Sequence, residues 1–203
     1  MDEIVAALDA GEVVLLPTDT VYGLAVRAAD HQATARLFAL KGRSANAPVA
    51  VLCTDAEQAL ALSDVTDATD AAAVQAVADR WWPGPLTLVV RRHGCLDLRL
   101  GDPEHTIGLR VPDHALVRAI AARVGPLATT SANRHGEPTA ATAQAAADAI
   151  GPGVEVVVDG GRLDGQPSTV LDTTTHPWTV PRAGAGDVSG ILRTADARLR
   201  PGG

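Results

Sequence analysis

Two cations stand two positions apart in the segment LKGRSANAP: Lys41 and Arg43. Lysine offers a compact ammonium and arginine a planar fork, a combination that suits a polyphosphate. A lysine at a helix end also complements the helix dipole, so the pair is a candidate clamp rather than a signature. A third cation, Arg182, lies in PRAG near the other end of the chain. The segment PTDTVYGL brings Thr18, Asp19, Thr20 and Tyr22 into one short turn. Such a set makes either a hydroxyl-lined wall for a small polar substrate or a self-capped turn. Arg110 interrupts an apolar pattern in TIGLRVP. Facing a cleft it would grip a carboxylate; facing outward it would be an ordinary surface charge. In ATTSANRHGEPT, the residues Thr129, Thr130, Ser131 and Asn133 form a candidate cradle for an anion or a ribose, with Thr139 beyond. His135 is the acid–base candidate there, although a loop histidine is more often simply solvated. Ser168 in PSTVLD adds one more hydroxyl. There is no GxxxxGK[ST], no GxGxxG after a strand, no GxSxG and no HExxH, so an ATP site would need another construction. The two cysteines, Cys53 and Cys95, are far apart and outside any CxxC, which argues against a zinc or disulfide framework.

Most of these segments follow an apolar run, and loops at strand ends are where open α/β sheets bind ligands. Periodicity predicts strands over 13–16, 24–27, 48–53, 86–90, 106–111, 127–130, 154–158, 169–171 and 178–180. Helices are expected over 2–10, 31–41, 55–62, 67–82, 114–124, 140–150 and 188–199. Residues 93–104 read as a loop or a short strand pair. Strands and helices alternate, but not as a strict βα repeat. The expected fold class is therefore α/β of the α+β type: three layers, with a twisted mixed sheet between helices. No repeat and no Gly/Ser linker interrupts residues 1–203, so one catalytic domain is expected.

Hydrophobic residues make up 46% of the chain but aromatics only 2%, so Ala, Val and Leu must fill the core. The formal net charge of −7 argues against a protein that grips nucleic acid over a long face. A local basic cleft in an acidic chain remains compatible with weak tRNA or double-stranded RNA binding. No apolar stretch reaches membrane-spanning length, and the N-terminus MDEIVAALDA is acidic where a signal peptide is basic. A cytoplasmic protein with no membrane partner is the expectation.

Taken in order, PTDTVYGL, KGR with Pro48, WPGPLTLV, GLRVP, SAN, STVLD and RAG resemble the YrdC-like family of threonylcarbamoyl-AMP synthases over about residues 11–190. Each motif alone is weak, whereas seven in register are specific. The resemblance implies a large concave, positive cavity and an enzyme that condenses L-threonine, bicarbonate or carbon dioxide, and ATP. The products would be threonylcarbamoyl-AMP and pyrophosphate, with Mg2+ accompanying ATP, so the activity is that of a nucleotidyltransferase. Partner proteins would then carry the group onto tRNA. Position by position, Thr20, Tyr22, Arg110, Thr129 and Ser168 would bind L-threonine. Lys41, Arg43, Thr106, Ser131, Asn133, Thr139 and Arg182 would bind ATP, with Lys41 and Arg43 catalytic. No protein ligand to metal is implied. Ser44 after KGR, Ala47 before Pro48, and Leu52 depart from the family pattern. The chain is also expected to lack the additional C-terminal domain of longer members. Competing readings are an RNA-binding module and a carbamoyl-adenylating relative with another substrate.

Overall fold

The computed structural model describes residues 1–42, 47–134 and 136–199. In chain order the elements are α1 (Asp2–Asp9), β1 (Val13–Leu16), β2 (Gly23–Arg27), α2 (His31–Lys41), β3 (Ala50–Leu52), α3 (Ala56–Leu60), α4 (Ala68–Trp81) and β4 (Leu86–Arg91). They continue with β5 (Thr106–Arg110), α5 (Ala115–Val124), β6 (Leu127–Ser131), α6 (Ala143–Ile150), β7 (Val154–Val157), β8 (Thr169–Asp172), β9 (Thr179–Arg182) and α7 (Val188–Leu199).

The boundaries have local causes. Asp30, Asp55, Asp67 and Thr142 each precede a helix and accept hydrogen bonds from its first free backbone N–H groups. Each such cap contributes about 1 kcal/mol. Gly42 ends α2 in the left-handed region at φ 59°, which costs a residue without Cβ little. The segment 93–104 is a loop rather than a strand pair; the single bridge nearby joins Ser63 to Arg92.

The strands form one mixed sheet in the order β7-β1-β2-β6-β3-β5-β4-β8-β9. β1–β7, β3–β5 and β4–β8 are parallel, and the other neighbours are antiparallel. Side chains alternate between two cores. Val13 and Leu15 join the cluster that includes Leu37 of α2, Val77 of α4 and Ala146 of α6. Val14 and Leu16 join Leu8 of α1 and Ile120 of α5 on the opposite face. The sheet is thus a middle layer with helices on both sides, as the alternating pattern predicts.

Helices α1 and α5 cover only one part of their face. From Ala25, which still packs with them, the register lines up a row across six strands: Ala25–Thr129–Ala50–Gly108–Val89–Asp172. Its central residues are small, so the uncovered face is a hollow instead of a packed surface. A second device closes one side. β7 lies at an edge of the sheet and β8 next to the other, seven strand positions away. At about 4.8 Å per strand this is roughly 34 Å, and the twelve residue steps from Val157 to Thr169 reach roughly 40 Å when extended. The connection therefore runs almost taut, as a strap along the sheet. Among the described residues, no helix is long and apolar enough to cross a membrane.

Candidate active site

The hollow is a cavity of about 590 Å³, within the roughly 300–1,000 Å³ range of small-molecule sites. Arg110, the last residue of β5, lies at its base and is 6% exposed. Its Nε donates to the Gly84 carbonyl at 3.1 Å, Nη1 to Thr20 Oγ1 at 3.0 Å and Nη2 to Asp19 Oδ1 at 2.6 Å. Burial pulls the guanidinium pKa down, and the Asp19 carboxylate opposes that pull and favours the charged form. The Pro83-Gly84-Pro85 turn is itself latched to this strand end, because Gly84 N donates to Val111 O at 2.9 Å.

The loop after β1 is organised by Thr18. Its hydroxyl donates to Val21 O at 2.6 Å and accepts from the backbone N–H groups of Thr20 and Val21, both at 3.1 Å. This turn presents the Thr20 hydroxyl to Arg110. On the other flank, Lys41 is buried at the end of α2. Its Nζ donates to Ser131 O at 2.5 Å, to Asn133 Oδ1 at 2.6 Å and to Ser131 Oγ at 3.3 Å. The lysine thus ties the end of α2 to the end of β6. Near the β9 end, Arg182 donates from Nε to Ser168 O at 2.9 Å and from Nη2 to Ser168 Oγ at 3.0 Å.

The cavity wall contains Thr20, Lys41, Thr106, Arg110, Thr129, Ser131, Asn133, Ser168 and Arg182, drawn from distant parts of the chain. Arg43 and His135 lie outside the described residues. Two expected site residues lie elsewhere. Tyr22 does not face the cavity: it is 1% exposed, and its hydroxyl donates to Gly161 O at 2.6 Å and accepts from Gly160 N at 3.0 Å. It anchors the strap instead, because its position in the turn points its ring the opposite way from Thr20. Thr139 is half-buried in the segment leading to α6 and does not border the cavity. The chain turns away there at Gly136, at φ 83°.

Thr18, from the expected hydroxyl wall, borders the cavity too, whereas sequence reasoning passed over Thr87, His105, Asp172 and Thr174, which also border it. Strand alternation from Val89 identifies the face of Thr87, but nothing local shows that this face is left uncovered. Within the described lining, Lys41, Arg110 and Arg182 are the lysine and arginines, and Asp172 is the one carboxylate. A chain of net charge −7 therefore builds a locally cationic chamber, which concentrates anions. No group of three or more His, Cys, Asp or Glu residues is placed to hold a metal among the described residues. One carboxylate among hydroxyls fits a magnesium ion that arrives on a triphosphate, since Mg2+ usually takes one or two carboxylates plus phosphate oxygens.

The family model described as "Telomere recombination", for Sua5, YciO and YrdC, matches residues 6–184. A Mycobacterium leprae protein with a provisional threonylcarbamoyl-AMP synthase name is 38% identical over 188 residues, 92% of this chain and 84% of its own. The Pyrococcus abyssi Sua5 structure solved with L-threonine superposes with a TM-score of 0.86 at 30% identity, over 94% of this chain and 56% of that one. The chain thus spans about half of that archaeal protein. Escherichia coli YciO superposes with a TM-score of 0.81 at 26% identity, over 94% of this chain and 92% of its own. In sequence along nearly its whole length and in fold, the chain belongs to the Sua5/YciO/YrdC family.

Proposed function

We propose that the protein is a threonylcarbamoyl-AMP synthase, a nucleotidyltransferase acting in the cytoplasm. It joins L-threonine, bicarbonate or carbon dioxide, and ATP into L-threonylcarbamoyl-AMP and pyrophosphate. The product serves the threonylcarbamoyladenosine modification of tRNA through partner proteins that consume it. The observation carrying this reading is the convergence of Lys41, Arg110 and Arg182 with the hydroxyls of Thr20, Thr129, Ser131 and Ser168 in one cavity. The relatives that bear the activity in their names, and the archaeal structure solved with L-threonine, support it.

The geometry suits a reaction that needs alignment and charge cancellation more than covalent help. Arg110 holds the amino-acid carboxylate, with Thr20, Thr129 and Ser168 around it. The threonine ammonium gives up one proton, and the free amine adds to carbon dioxide and releases a second to give the carbamate anion, both protons passing to water. A carbamate oxygen then attacks the α-phosphorus, and pyrophosphate leaves. Lys41 and Arg182 face the phosphates, and the family motif adds Arg43 to them. Magnesium bound to ATP supplies further charge neutralisation on the triphosphate. Ser131, Asn133 and Thr106 line the nucleotide end. The enclosed floor keeps water from the labile carbamate and adenylate.

The test is mass detection of the adenylate after incubation with ATP, Mg2+, bicarbonate and a panel of amino acids. Threonylcarbamoyl-AMP from L-threonine, in excess over products of the other amino acids, is the expected outcome. Another amino acid as the preferred substrate, or no adenylate at all, overturns the assignment.

A further inference from the structure

We infer that Thr87 is a positioning residue of the amino-acid subsite, setting the direction in which the Ser168 hydroxyl donates its proton. The inference rests on the functional reading above and deepens it. Thr87 lies on β4, whose neighbour β5 carries Arg110, and it borders the cavity while only 4% exposed. Its Oγ1 is 2.8 Å from Ser168 Oγ, and Ser168 is also 4% exposed.

The hydrogen atoms can be counted. The two hydroxyls hold two protons, and one hydrogen bond between them uses one. Arg182 Nη2 donates to Ser168 Oγ, so it occupies a lone pair there and takes up neither proton. Neither hydroxyl has a second protein acceptor among the described residues. One proton of the pair is therefore left for the cavity. The paired arrangement is a donor aimed at a chamber whose base holds Arg110. Facing the cavity, that donor can meet water or, more strongly, an anionic oxygen of a ligand.

Gly108 leaves room for this rotamer. A Cβ built on Gly108 would lie 3.4 Å from Thr87 Cγ2, so the threonine methyl points across to β5 over a residue with no side chain. A β-branched side chain has restricted χ1, and here burial and the 2.8 Å contact keep its hydroxyl on Ser168. Either hydroxyl can donate within the pair; when Thr87 donates, Ser168 Oγ accepts from both Thr87 and Arg182 and its own proton is left for the cavity. The matching ligand group is a carboxylate oxygen of an α-amino acid whose other oxygen meets Arg110.

Thr87→Val removes the hydroxyl and keeps the branched shape over Gly108. L-threonine and ATP binding are measured separately by calorimetry, followed by steady-state kinetics and thermal unfolding. We expect the Kd and KM for L-threonine to rise about tenfold, as for a lost hydrogen bond to a charged group. ATP affinity, kcat and the unfolding midpoint stay close to wild type, and Thr87→Ser restores threonine affinity. L-threoninamide, which lacks the carboxylate, binds the wild type and the Val variant equally. Unchanged threonine affinity in Thr87→Val overturns the inference, as does an equal loss for threonine and ATP. An equal loss for the amide overturns the carboxylate assignment. Failure of the wild type to form the adenylate refutes the proposed function instead. A working wild type with a Val variant that binds threonine normally refutes Thr87 alone.

Discussion

Removing the charge of Asp19 asks what holds the central arginine of the cavity. Asp19 Oδ1 and Arg110 Nη2 are 2.6 Å apart, with side chains 13% and 7% exposed. Opposite charges with centres about 4 Å apart attract by about 4 kcal/mol at an effective dielectric constant near 20. Truncating one partner of a buried pair costs about 3–5 kcal/mol, because the other charge stays behind in a poorly solvated place. In Asp19→Ala the guanidinium keeps only the Gly84 carbonyl and the Thr20 hydroxyl, neither of them charged. For a chain of this size each kcal/mol moves the unfolding midpoint by about 2–4 °C. Asp19→Ala should therefore unfold about 6–20 °C below wild type. Arg110→Met should fall by a similar amount, since it strands the carboxylate. The double variant loses both charges, and its destabilisation should be clearly smaller than the sum of the singles. Circular dichroism melts at low and high salt give all three numbers, and the loss should depend little on salt, as expected for a shielded pair. An Asp19→Ala midpoint within about 1 °C of wild type, or strict additivity in the double variant, refutes the ion-pair argument.

Three other outcomes are expected. Lys41→Ala should lower threonine-dependent pyrophosphate release by about two to three orders of magnitude; near-normal turnover removes its role at the phosphates. Tyr22→Phe deletes the link to Gly160 and Gly161, so it should cost about 1–2 kcal/mol and speed hydrogen exchange at the Gly160 amide; unchanged exchange there contradicts the strap anchor. Burial pushes the Cys53 thiol from its ordinary 9.0 up to about 12, so the unfolded chain gives up this proton first as pH rises. Stability should then fall from about pH 9 towards 12, by more in wild type than in Cys53→Ala, and equal slopes in the two proteins contradict this.

Much of the architecture was legible in local pattern. Among the described residues, nine strands and seven helices arise within a few residues of where apolar alternation and helical spacing place them. The caps at Asp30, Asp55, Asp67 and Thr142 mark helix starts because their side chains compete for backbone N–H groups wherever the chain goes next. Motif order also carried the family and most of the polar residues of the cavity wall. Other features had no local signal. Tyr22 shares a turn with Thr20 yet turns its hydroxyl to a strap 139 residues further along. Asp172 and Thr87 looked like ordinary strand residues.

The sequence by itself determined which residues form strands and helices, and which strand residues share a face, because side chains alternate with a period of two. It also determined the cations and hydroxyls available for chemistry. Only the tertiary structure decided which face stays open, since that depends on how far α1 and α5 reach across a sheet whose neighbours are distant in sequence. The row from Ala25 to Asp172 joins six strands in an order the chain never follows, and its small residues become a cavity floor only when those strands lie side by side. Long-range pairing, not local preference, turns scattered polar residues into one site.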